Sequence, residues 1–161
     1  MAIWHYKCNL VPKPTKEPLV KQRTEDGFIP DVEEDWEWMS TGDRLLSHVK
    51  ELFNVTDSWS DEILMFGGED DRIEIALVED TDRVEYVSVR LDLRNDYWKD
   101  FLSKLIPIFE KLQLRVFDCY SFDIFDASAD NFRESVRNSN AIKFVTDSEK
   151  FLTSLSSDKK I

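Results

Sequence analysis

Val84-Glu-Tyr-Val-Ser-Val-Arg-Leu-Asp-Leu-Arg94 alternates apolar and polar side chains, and after Asn95-Asp96 the segment Tyr97–Leu112 repeats its apolar residues at helical spacing. A switch from period two to period 3.6 at one junction predicts the central strand of a sheet feeding the main core helix. Asn95 is a good N-cap for that helix and Asp96 suits the positive end of its dipole. Phe101, Leu102, Leu105, Ile108, Phe109 and Leu112 form its apolar stripe. Pro107 lies inside the stripe, where it removes the bond to the Ser103 carbonyl; a kink near Lys104–Pro107 is expected rather than two helices.

The strand before it fixes a hairpin. Ile73, Ile75 and Leu77 must share a face with Val87, Val89, Leu91 and Leu93, which admits pairings of even index sum and excludes a two-residue loop unless a bulge intervenes. The register expected is 73 with 91, 75 with 89 and 77 with 87. It would leave Thr81-Asp82-Arg83 as the loop and set Glu74 opposite Arg90 and Arg72 opposite Asp92. Gly67-Gly68-Glu-Asp-Asp71 punctuates the preceding junction, so the runs near 62–66, 72–79 and 84–93 read as an antiparallel meander.

Toward the N-terminus, residues 2–11 alternate as a first strand, stopped by Pro12, Pro14 and Pro18. Residues 12–40 show no sustained period and form a long irregular segment. Thr41 or Asp43 caps a one-sided helix over about residues 43–54, with Leu45, Leu46, Val49, Leu52 and Phe53 on its apolar side. Toward the C-terminus, 114–119 returns as a strand, and strand–helix–strand around one core predicts a right-handed parallel crossover. Residues 114–126 are either one bulged strand or two strands broken near Tyr120-Ser121. Ser128 caps a helix over 129–139, 141–145 reads as a short extended piece, and Asp147 or Thr146 starts a last helix over 147–155. The fold class expected is therefore α+β: one domain over residues 1–161, with a mainly antiparallel sheet and helices mostly on one face.

Composition constrains the partners. The 161 residues carry 33 acids against 21 Lys and Arg, a formal charge of −12, which disfavours nucleic-acid phosphates and anionic membranes and favours a basic protein surface. The asymmetry is local: residues 24–80 hold 18 acids against Arg44, Lys50 and Arg72, whereas 1–23 hold five bases against Glu17. The start Met-Ala-Ile-Trp-His-Tyr lacks the regions of a signal peptide and no apolar run reaches membrane-spanning length, so a cytoplasmic protein is expected. Cys8 and Cys119 each sit in an apolar run and read as buried thiols.

No residue set carries a cofactor, metal or catalytic signature. Asp118, Asp123, Asp126 and Asp130 are separated by bulky aromatics without the glycine of a cation loop. His5 and His48 lie outside motif spacing of a cysteine or carboxylate. Gly67-Gly68 lacks the lysine and the spacing of a phosphate loop. Arg90, Asp92 and Arg94 line the polar side of the central strand and read as charges paired across strands. The sharper candidate is Glu33, Glu34, Asp35, Trp36, Glu37 and Trp38, tryptophan anchors among acids on a long segment, suited to a basic partner.

Val87–Arg94, the helix Phe101–Leu112, the strand with Asp118-Cys119, and Ser139–Asp147 with Phe151-Leu152 together resemble small uncharacterised bacterial proteins. Their size, acidity and α+β build are similar to immunity proteins that neutralise toxins in interbacterial competition. The resemblance covers the second half of the chain and implies an acidic face meeting a basic toxin. The functional expectation is a non-enzymatic binding protein. The competing one is an enzyme or small-ligand protein with a site between the sheet and the 12–40 segment, using Arg90, Arg94 or the aspartate cluster.

Overall fold

The computed structural model describes residues 2–12, 38–118, 120–121 and 123–157. Its strands are β1 (His5–Val11), β2 (Val55–Thr56), β3 (Ile63–Gly67), β4 (Arg72–Leu77), β5 (Val84–Asp92), β6 (Arg115–Phe117) and β7 (Ile124–Asp126). They form one seven-stranded sheet in the order β2-β3-β4-β5-β1-β6-β7, with antiparallel ladders throughout. The helices are α1 (Met39–Leu52), α2 (Tyr97–Lys111), α3 (Ala129–Asn138), α4 (Asn140–Thr146) and α5 (Ser148–Ser157). The fold is α+β, and β5 is the middle strand.

The front face of the sheet is the apolar one. Val87, Val89 and Leu91 of β5 pair with Ile75 and Ile73 of β4 on one side and with Leu10, Cys8 and Tyr6 of β1 on the other, and all are buried. Against them lie Leu45 and Val49 of α1, Phe101, Leu102, Leu105 and Phe109 of α2, Phe132 and Val136 of α3, and Ala141 of α4. Burying each large apolar side chain stabilises the fold by about 1.5–3 kcal/mol. Gly42 allows the close approach of α1, because a Cβ there would lie 2.9 Å from Val84 Cβ and 3.1 Å from Trp38 Cβ.

The second hairpin keeps the expected faces but slips by two residues. Ile73 faces Val89 and Ile75 faces Val87, so Arg72 stands opposite Arg90 and Glu74 opposite Ser88. A bulge between Ala76 and Leu77 explains the shift: Ala76 pairs with Tyr86 and Leu77 with Val84, leaving Glu85 as the extra residue. One extra residue reverses the alternation, so Val84 turns onto the core face, where it is 8% exposed. Simple alternation had placed it on the other side.

Other boundaries also moved. The first helix starts at Met39 with no side-chain cap, placing Thr41 and Asp43 inside it. Strand β2 is an addition too short to show a period. The crossover through α2 links two parallel strands, as β5 and β6 both run antiparallel to β1; β1 lies between them, since its own apolar alternation fills the gap. Residues 114–126 form two strands, the hairpin of β6 and β7. Residues 141–145, expected as extended, lie in the helix Asn140–Thr146, which Ser139 caps by accepting a bond from the Ile142 N–H at 3.2 Å. The N-cap of α2 is Asp96, without a side-chain cap bond, rather than the expected Asn95, whose Oδ1 accepts the Tyr97 N–H at 2.9 Å from one residue earlier; α2 runs unbroken through Pro107. Ser128 caps α3 and Asp147 bonds the first turn of α5 as expected.

Candidate functional site

Of the six sequence-predicted partner residues, Trp38 is the one the structure describes. It is 3% exposed and belongs to the hydrophobic core, so it seats the start of α1 instead of offering a free aromatic surface. Glu33, Glu34, Asp35, Trp36 and Glu37 lie outside the described residues.

The combination expected there, tryptophan among acids, occurs at the β2 edge of the sheet. Residues 51–85 contain 12 acids against Arg72 and Arg83. Within this stretch Trp59 is 80% exposed, with Val55 at 55% and Leu52 at 43%. Glu51, Asp57, Asp61 and Glu62 beside them are all exposed. The loop bearing Trp59 is held by local bonds: the Ser60 N–H donates to Ser58 Oγ, the Glu62 N–H to Ser60 Oγ, and the Ile63 N–H to the Ser60 carbonyl. Trp59 thus does not anchor its own loop. An exposed aromatic with apolar neighbours and an acidic rim has the anatomy of a protein-binding patch. In the sequence, Val55 and Trp59 stand out as the apolar residues of a polar stretch, and that was the available signal.

The back face of the sheet carries the charges. Arg94 is fully engaged: its Nε and one terminal nitrogen bond both carboxylate oxygens of Asp92, and its guanidinium lies 4.4 Å from the Trp4 ring centroid. Those bonds hold the Asp92 carboxyl below the usual carboxylate range. The Asp92 N–H donates to Asp71 Oδ1 at 2.9 Å, and burial raises the Asp71 pKa. His5 Nε2 lies 3.9 Å from Asp92 Oδ2, yet burial, with Arg90 nearby, lowers its pKa. Arg94 is therefore a structural clamp at the end of β5, whereas Arg90 donates to the Glu69 carbonyl from a half-buried position.

The aspartates of the C-terminal half separate into individual roles. Asp118 Oδ1 accepts the N–H groups of Tyr120 and Ser121, building the β6–β7 turn, and its Oδ2 accepts the Ser135 hydroxyl at 3.2 Å. Ser135 in turn bonds the Tyr6 hydroxyl at 2.7 Å, and burial holds that phenol well above its ordinary pKa. Asp118 and Asp123 line an open cavity of about 420 Å³ with Asn131, Glu134 and Ser135. Asp126 lies 3.9 Å from Arg115, and Asp130 pairs with Arg133 one turn on. Among the described residues no group of three or more His, Cys, Asp or Glu could hold a metal ion, and no helix is long and apolar enough to cross a membrane. Cys8 is a buried thiol, and Cys119 lies outside the described residues. No protein-family model, curated protein or solved structure matches the chain.

Proposed function

We propose that this chain is a non-enzymatic cytoplasmic binding protein of the immunity type, which neutralises a basic partner protein by charge and shape complementarity through the β2 edge. The observation that carries the reading is Trp59, 80% exposed within a stretch where acids outnumber bases 12 to two. A large aromatic left in water supplies the desolvation energy of a hot spot, while the acidic rim steers a cationic partner and rejects anionic ones. Glu33, Glu34, Asp35, Trp36 and Glu37 would extend the same chemistry as a second acid-and-tryptophan set.

The test is partner capture from the native cytoplasm followed by binding kinetics with the purified partner. The association rate should fall at least about tenfold between low salt and roughly 0.5 M salt. Trp59→Ala should weaken affinity by about 30-fold, the size of a hot-spot loss. Unchanged affinity and association rate for every captured partner after reversal of Glu51, Asp57, Asp61 and Glu62 to lysine would remove the β2 edge from the reading.

A further inference from the structure

The slipped register of β4 against β5 creates an arrangement that neither strand shows alone. Lys7 of β1 stands opposite Arg90 of β5, and Arg90 stands opposite Arg72 of β4. Directly opposed residues share a face, so three cations form one row across three adjacent strands on the back of the sheet. With strands about 4.8 Å apart, their side chains leave the backbone within about 10 Å of one another. Like charges directly opposite are destabilising, and this row lies in a chain of net charge −12.

The neighbouring acids compensate the row incompletely. Glu74 lies 2.5 Å from a terminal nitrogen of Arg72, and Arg90 reaches the Glu69 carbonyl through a terminal nitrogen. Asp92 is taken by Arg94. The Nε atoms of Arg72 and Arg90 are both buried without a hydrogen-bond partner. Two residue pairs further along the ladder, on the same face, Ser88 is 1% exposed and Asn9 9% exposed, and the Ser88 Oγ and Asn9 Oδ1 atoms also lack partners. Buried polar groups in folded proteins are nearly always satisfied. Here the unsatisfied ones converge on one face, with a hydroxyl and two guanidinium edges among them.

We propose that the row Lys7–Arg90–Arg72, with Ser88 beside it, binds a small phosphoryl-bearing anion. Two guanidinium Nε–H groups, an ammonium and a hydroxyl match a tetrahedral dianion that accepts bonds through several oxygens, the Glu74 carboxylate opposite Ser88 being held by Arg72. A single planar carboxylate would use part of this set and leave the rest unmet. A nucleic-acid strand does not fit, since three cations cannot offset the repulsion of so acidic a chain. Burial first and the Arg72 charge second lower the Arg90 pKa, outweighing Glu74, Asp70 and Asp92, which raise it.

Titration calorimetry and thermal unfolding of the full chain test this, using inorganic phosphate and a sugar monophosphate against sodium chloride at equal ionic strength. Binding heat and a raised midpoint are expected with at least one phosphorylated ligand. Saturation by inorganic phosphate identifies the free ion as the ligand; at least about tenfold tighter binding of the sugar monophosphate identifies a phosphorylated metabolite. Arg72→Gln and Arg90→Gln should each weaken binding by about tenfold or more. Lys7→Gln, at a half-buried position, should weaken it several-fold, and Lys104→Gln on α2 should not. The proposal is overturned if neither ligand shifts the midpoint beyond chloride at about 10 mM. It is equally overturned if Lys7→Gln and Arg72→Gln bind as the parent does.

Discussion

On the front face of the sheet, Tyr6, Ile73, Ile75, Val87, Val89 and Leu91 meet four helices in a buried core. On the back face of the same strands, Lys7, Asn9, Arg72, Ser88 and Arg90 include buried polar atoms with no partner. Both faces arise from one alternation, but their requirements differ. Apolar packing tolerates any arrangement that fills the volume, so a slip of two residues leaves the front face intact. Charges and hydrogen bonds depend on which residue stands opposite which, so the same slip changes opposite-charge neighbours into an Arg72–Arg90 pair.

The largest expected effect is on the front. Phe109→Ala, at 0% exposure between the sheet and α3, should destabilise by about 3–5 kcal/mol, measured by urea unfolding. A cost below about 1 kcal/mol would mean the front core is far looser than the structure shows. Gly67→Ala comes next, where the faces join at the β3–β4 turn. Gly67 has φ 108°, and a Cβ would sit 2.5 Å from the Asp71 carbonyl and 2.7 Å from Phe101 Cε2. The strained backbone and the clash should together cost about 2–4 kcal/mol.

On the back face, Asp71→Ala should cost about 1–3 kcal/mol, because the buried Asp92 N–H loses its acceptor. Asp71→Asn, which keeps the oxygen, should recover most of that in the same measurement; equal losses in the two variants would show that the charge, not the hydrogen bond, matters. Smallest of all, Ser88→Ala in phosphate-free buffer should change stability by less than about 0.5 kcal/mol, or raise it, since it removes a hydroxyl that already lacks a partner. A loss above about 1 kcal/mol would mean that the hydroxyl is satisfied, and the contrast between the faces would shrink.

Among the candidate sites, Trp59 and the back-face row differ in how visible they were before folding. Trp59 stands out in a polar stretch, but whether a tryptophan packs inward or faces water depends on what the tertiary structure brings over it. Trp36 and Trp38 had the same appearance in sequence, and Trp38 proved to be core. Lys7 comes from a strand far from Arg72 and Arg90 in the chain, and the bulge that sets Arg72 opposite Arg90 is not visible in simple alternation.

Periodicity and chain order were enough to determine the α+β class, the middle position of Val84–Asp92, its apolar face and the helix after it, because these follow from local alternation and the cost of exposing apolar surface. The Glu85 bulge, the insertion of β1 between β5 and β6 and the opposition of Arg72 to Arg90 were decided by tertiary structure. Each depends on a balance between non-local pairings of similar local merit, settled by burying Val84 and filling the sheet rather than by any residue's own preference.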